Sequence, residues 1–278
     1  RAGQAVASAG LEPGHVSVAG RDVSLTGQLY EEARRGAAVS AADAIFGVRR
    51  VGADELKAIP VASPYAWSAV RDGAKVTLAG VVPNPSVRAR IVAAAKAAVP
   101  GAEILDQMTY AAGAPSGFDA AAAFAISGLS GLTGGQASLA GLAYSVAGQA
   151  ATLPAFMAIV DGVKKLPPGM SLAAMNVAPP LAKPYVWSLA HDGRARTLKG
   201  FAPDIPAIAA AGLAAQAPSL TLVNDLKPGS GLPTGLDHKA ATAFASMLLG
   251  KLKSGVATFA DGVLSLVGEG YSSDRVSV

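Results

Sequence analysis

The chain has 278 residues and no cysteine, which excludes disulfides and thiolate metal sites and fits equally a reducing cytosol or an envelope protein that needs no bridges. Aromatic residues are only 5% and charged residues only 15% of the sequence. The net charge of +4 is dispersed over Arg34–Arg35, Arg49–Arg50, Arg88, Arg90 and Lys164–Lys165. Nucleic-acid binding calls for clustered Lys and Arg with stacking aromatics, so that class of partner is excluded. No charged residue occurs between Asp119 and Asp161. This run is nevertheless not a transmembrane span: Gly134–Gly135 and Gln136 interrupt it, and the corresponding helix later in the chain carries His238, Lys239, Lys251 and Lys253, a face that lipid would not accept.

What the chain does have is repetition. Pro64-Tyr65-Ala66-Trp67-Ser68, followed by Asp72-Gly73, returns 120 positions later as Pro184-Tyr185-Val186-Trp187-Ser188 and Asp192-Gly193. Leu78, Gly80 and Pro83 match Leu198, Gly200 and Pro203 at the same spacing. The spacing is 118 for Pro100, Ile104, Pro115, Gly117 and Asp119 against Pro218, Leu222, Pro233, Gly235 and Asp237. It is 120 again for Leu132, Ser145 and Gly148 against Leu252, Ser265 and Gly268. A second set of matches joins three hairpins: Ala19 with Val23–Gly27, Ala140 with Tyr144–Gly148, and Ala260 with Leu264–Gly268.

On this lattice Arg1 corresponds to Ala122 inside a helix, and Ser272–Val278 fall where a helix should begin. The expectation is a segment of a longer protein, with any signal or anchor outside it. Units of about 40 to 60 residues bury too little surface to stand alone, so neighbours are expected to share core. The expected division is residues 1–60, 61–113, 114–180, 181–231 and 232–278. The second and fourth units bear the Trp motif; the first has a truncated leading helix and the last is a leading helix and hairpin only.

Each unit reads as hairpin, helix, strand. Val16, Val18, Val23 and Leu25 alternate with Ser17, Ala19, Ser24 and Thr26, the period of a strand with one buried face. Asp72-Gly73 and Asp192-Gly193 supply tight hairpin turns. Thr152 and Pro154 open a helix whose apolar residues include Phe156, Ile159, Val160 and Val163, and Pro167-Pro168-Gly169 ends it. Closing strands are expected around residues 48–51, 102–108, 170–177 and 220–226. The fold class is therefore α+β: tandem small αββαβ modules, each with a helix on a three-stranded mixed sheet, arranged as an elongated array.

The hairpins that end Val23-Ser-Leu-Thr-Gly27, Val76-Thr-Leu-Ala-Gly80 and Leu264-Ser-Leu-Val-Gly268, with the junction Phe46-Gly47-Val48-Arg49-Arg50-Val51, resemble those of the BON family of bacterial envelope modules. The tandem, Ala-rich arrangement is similar to the region ahead of an OmpA-like domain in alphaproteobacterial envelope proteins. This resemblance implies a periplasmic or outer-membrane-associated location, no catalysis, no cofactor, and envelope lipids, peptidoglycan or other envelope proteins as partners.

Tyr65, Trp67, Tyr185 and Trp187 are the candidates for contact with a lipid headgroup or sugar ring. At positions i and i+2 of a strand they share one face, and in a chain so poor in aromatics they also serve as its large core residues; core packing is the reading favoured. His15, His191 and His238 each stand alone, and the internal copies place Arg71 and Ala120 opposite the latter two. Surface positions are expected for all three. Gly229–Gly235 has the glycines of a phosphate loop without the spacing or the following Gly-Lys-Ser/Thr, and Ser116 or Thr234 with Asp119 or Asp237 is expected to cap the next helix. No nucleophile elbow and no recurring carboxylate pair is found. The function expected is non-catalytic, as a structural spacer or interaction surface of the envelope. Binding to a phospholipid or peptidoglycan surface is the alternative, and an enzyme of unknown type comes third.

Overall fold

A computed structural model describes residues 16–31 and 34–271. The chain begins, within them, with β1 (Val16–Ala19), β2 (Asp22–Leu29), α1 (Arg34–Asp43) and β3 (Arg50–Ala58). Then come β4 (Ala66–Asp72), β5 (Lys75–Val82), α2 (Pro85–Ala98) and β6 (Glu103–Tyr110). The middle of the chain forms α3 (Phe118–Ser130), β7 (Leu132–Ala140), β8 (Ala143–Ala150), α4 (Leu153–Gly162) and β9 (Ser171–Ala178). It continues with β10 (Val186–His191), β11 (Ala195–Ala202), α5 (Ile205–Ala215) and β12 (Thr221–Pro228), and then α6 (His238–Leu249), β13 (Leu252–Ala260) and β14 (Val263–Gly270). The fold is mixed α and β. His15 and the expected helix start at Ser272–Val278 lie outside the described residues.

The described residues divide into two compact units, one formed by those up to Ser130 with Gln136–Val146 and Leu166–Ala174, the other by Gly131–Gly135, Ala147–Lys165 and those from Met175 on. Three sheets have the strand orders β1-β2-β3, β6-β5-β4-β7-β8-β9 and β12-β11-β10-β13-β14.

Local chemistry accounts for the elements. Asn84, Thr152, Asp204 and Asp237 each accept a hydrogen bond from the backbone N–H three residues on, at 2.9, 3.3, 2.6 and 3.0 Å, and so cap α2, α4, α5 and α6. A proline follows at the first or second helical position in the first three. Ala38, Ala42, Ala95, Ala211, Ala215 and Ala245 are fully buried, because a methyl group is what lets each helix approach its sheet or neighbouring helix. In the second unit a single core contains Tyr185, Trp187, Leu189, Leu198, Leu226, Leu249 and Phe259.

The closing strands pair in parallel with the second strand of their hairpins, β3 with β2, β6 with β5 and β12 with β11. A strand, a helix and a parallel strand is the crossover arrangement the sequence suggests. The sheets, however, are larger than three strands in two of three cases. β10 pairs antiparallel with β13, Val186 opposite Ala260 and Trp187 opposite Phe259, and β4 lies beside β7 in the six-stranded sheet. The first strand of each Trp hairpin would otherwise expose a row of unpaired backbone N–H and C=O groups, and the first strand of the next hairpin satisfies them.

Candidate functional site

The Tyr-x-Trp segments sit at these two seams. Pro64 and Pro184 each follow a cis peptide bond and lead the chain into β4 and β10. Tyr65 and Trp67 then point to one face of β4, as Tyr185 and Trp187 do at β10. All four side chains are buried. The Tyr65 ring meets Phe118 edge-on at 5.0 Å, and its hydroxyl donates to the Ala111 carbonyl at 3.4 Å. Burial pushes its pKa up to about 12. The Trp67 indole N–H donates to the Met108 sulfur at 3.3 Å. Trp187 stacks on Phe259 with ring centroids 5.8 Å apart and planes 11° from parallel, and lies 5.2 Å from the His238 ring. Among the described residues the Trp187 N–H and the Tyr185 hydroxyl have no hydrogen-bond partner. Tyr185 also titrates well above the ordinary tyrosine range because it is desolvated.

Glycine makes these seams possible. Gly80 (φ +99°) and Gly200 (φ +106°) face the backbone at the start of the Trp strand. A Cβ on either would fall 2.7 Å from the Cα of Trp67 or Trp187 and closer still to the carbonyl oxygen of Ala66 or Val186. The recurrence of these glycines at the 120-residue spacing is thus a matter of close backbone approach.

The histidines differ from the surface positions expected of them. His191 and His238 are both buried. His238 lies in the first turn of α6, where its Nε2 is 3.0 Å from the Phe201 carbonyl oxygen, and α6 turns this face toward Trp187. Helix starts are exposed only when the following face is, and here Thr242, Ala245 and Leu249 continue the same buried stripe. Desolvation lowers the His238 pKa, opposed by the Phe201 carbonyl and by Asp237 and Asp204. Among the described residues no three His, Cys, Asp or Glu side chains converge as a metal site.

The glycine-rich loop at Gly229–Gly235 has its first amides committed to backbone. Gly229 N–H donates to Ala202 O at 2.8 Å, extending the parallel ladder of β11 and β12, and Ser230 N–H donates to Pro180 O at 3.0 Å, part of a separate parallel bridge between Leu181 and Ser230. Ala111 and Ala112 do the same for Val82 and Pro60. Asp192 is a turn former: its carboxylate accepts from the N–H groups of Ala195 at 2.7 Å and Arg194 at 2.8 Å, which hold its pKa below the usual carboxylate value.

Sequence reasoning missed a buried arginine. Arg196, on β11, donates to the Ala215 carbonyl at 3.0 Å, the Ser246 hydroxyl at 2.6 Å and the Ser246 carbonyl at 3.1 Å, so one guanidinium serves the C-terminal ends of α5 and α6. The signal was present as a departure from the repeat: Arg196 replaces Val76, while His191 across the ladder replaces Arg71. A shallow cleft of about 380 Å³ is lined by Tyr30, Glu31, Arg34, Asn84, Ser86 and Arg90. Its cations are already answered, Arg34 by Glu31 at 2.8 Å and Arg90 by Asp119 at 2.7 Å.

Among known protein families, residues 68–112 match the BON-like domain. That span runs from Ser68 of β4 through β5, α2 and β6, one hairpin, helix and closing strand. No curated protein matches the chain. No helix among the described residues is long and apolar enough to cross a membrane.

Proposed function

We propose that this chain is a non-catalytic module array of the bacterial cell envelope, periplasmic or associated with the outer membrane, acting as a spacer and interaction surface. In this reading the BON-like unit at residues 68–112 is one of several tandem copies, as in the region ahead of an OmpA-like domain. The observation that carries it is where the recurring residues go. Tyr65, Trp67, Gly80 and their counterparts Tyr185, Trp187 and Gly200 are spent on core packing and strand approach, so the feature held constant across copies is the architecture. Each Asp-Gly repeat makes a turn.

The test is co-sedimentation of the full chain with anionic phospholipid vesicles and with isolated peptidoglycan. The chain is expected to remain in the supernatant as an inert control protein does. Salt-sensitive pelleting with either would overturn the spacer reading in favour of surface binding. Fractionation of cells should find the protein in the envelope, and recovery from the cytosol would contradict the location.

A further inference from the structure

The two Trp strands answer their indole N–H groups in different ways. Trp67 donates to the Met108 sulfur at 3.3 Å, and Met108 lies beside Gly80 in the parallel ladder of β5 and β6. In the second unit Leu226 takes that place, beside Gly200. Leucine has no side-chain atom that accepts a hydrogen bond, and among the described residues the Trp187 N–H has no partner. Trp187 is fully buried, so an unanswered donor there is costly.

His238 brings an acceptor to the same place. Its Nε2 is 3.0 Å from the Phe201 carbonyl oxygen, which can only accept, so Nε2 carries the hydrogen. In the neutral ring Nδ1 then holds the lone pair. Among the described residues this Nδ1 also has no partner, and the side chain is only 3% exposed. The imidazole and indole centroids are 5.2 Å apart, with planes 53° from parallel. One buried N–H and one buried lone pair thus sit on adjacent rings, and a small turn of the rings satisfies both.

The groups around the imidazole come from every element packed on it. Asp237 caps its own helix and Asp204 caps α5; both favour the charged ring, and desolvation opposes them more strongly. On β10 the titratable residues are Tyr185 and His191, and Asp261, just after β13, accepts from the Tyr185 N–H at 3.0 Å. Arg196 of β11 is drawn to Ser246, about two turns farther along α6. From β13 the neighbour is Phe259, stacked on Trp187.

We infer that Trp187 and His238 form an acid-released latch between β10 and α6. Neutral His238 accepts the Trp187 N–H through Nδ1; a proton taken up on Nδ1 sets two N–H donors against each other and frees the start of α6 from the Trp strand. The seam at β4 is blind to the same change, since the Met108 thioether that answers Trp67 does not titrate. The chain therefore holds two seams of one architecture, one acid-sensitive and one not. This inference does not rest on an envelope role, and vesicle sedimentation leaves it untouched.

The experiment follows the isotopically labelled full chain by nitrogen NMR from pH 7.5 to 4.5. It reads the tautomer of His238 and the exchange of both indole N–H groups, with Trp67 as the reference inside the same molecule. At pH 7.5 His238 is expected as the Nε2–H tautomer, with both indoles protected. As His238 gains its proton, the Trp187 N–H should exchange about tenfold faster relative to that of Trp67, and the amides of Thr242–Ala245 in α6 should follow. Leu226→Met puts a thioether where Met108 stands in the first unit and should remove this response. His238→Gln should remove it too, and either variant decides the matter if the other does not fold. An Nδ1–H tautomer at pH 7.5, an indole ratio unchanged through the titration, or a response that survives Leu226→Met would overturn the inference. So would its loss in Tyr185→Phe, since the Tyr185 hydroxyl would then be the partner of Nδ1.

Discussion

Arg71 and Arg196 bring a guanidinium to the last turn of the helix ahead of the following hairpin from opposite strands of two aligned hairpins. Arg71, on β4, donates to the carbonyls of Leu129 and Ser130 at 3.1 and 3.0 Å. Arg196, on β11, reaches the Ser246 carbonyl of α6 at 3.1 Å. In each ladder the arginine faces the other hairpin's vacated position, Arg71 opposite Val76 and Arg196 opposite His191. Helix C-terminal carbonyls have no intrahelical donor, and a cation there is favoured by the helix dipole, so either strand can host the group that answers them.

The exchange predicts compensation. Arg196→Val leaves the Ala215 and Ser246 carbonyls without this donor and should lower stability by about 2 kcal/mol. His191→Arg/Arg196→Val rebuilds the Arg71–Val76 arrangement and should recover at least half of that loss. Urea denaturation of the two single variants and the double variant measures the coupling. Strictly additive effects would show that the two arginines do not share a role.

Glycines of positive φ should separate into two classes. Gly80→Ala adds a methyl group against the Ala66 carbonyl and the Trp67 Cα, and should cost about 3 kcal/mol. Gly73 also has positive φ, +55°, yet nothing lies within 4 Å of the Cβ it would carry. Gly73→Ala should therefore cost only the left-handed penalty, about 1 kcal/mol. Equal losses in equilibrium unfolding would mean that close strand approach at Gly80 is unimportant.

His238 gives the protein an acid sensitivity of defined sign. Its folded pKa is depressed below the ordinary histidine value of 6.5, by desolvation first of all. As pH falls below 6.5 the unfolded chain takes up a proton that the folded chain still refuses. Stability is therefore full above pH 6.5 and declines below it until the folded group itself protonates. Unfolding free energy measured between pH 7.5 and 4.5 should show this slope, and His238→Gln should flatten it. The depressed Asp22, Asp161 and Asp192 act in a separate window below their ordinary 3.8.

Much of this architecture was legible in the sequence because its signals are local. Asp-Gly marked the hairpin turns, alternating Val and Leu marked the strands, and Thr152 with Pro154 marked a helix start that the Thr152 hydroxyl does cap. At α6 the cap is Asp237. The seams were not legible, because the pairing of Trp187 with Phe259 joins strands from different hairpins and leaves no mark in either. Reading Ala140 and Ala260 as aligned did place the two seam strands in equivalent positions without saying what lay beside them. The buried His238 was misjudged for a related reason. Its counterpart Ala120 is exposed, and only the tertiary position of Trp187 and Phe201 explains why a histidine at this helix start turns inward.

Backbone amide exchange along β10 tests the central claim most directly: the recurring Tyr-x-Trp strands are interior seams between hairpins. β10 has hydrogen-bonded neighbours on both sides, β11 and β13. Amides of Val186–His191 are predicted to exchange as slowly as those of Ala195–Ala202 in β11. Exchange of every second amide in β10 at the rate of an unpaired edge, while β11 stays protected, would contradict the account.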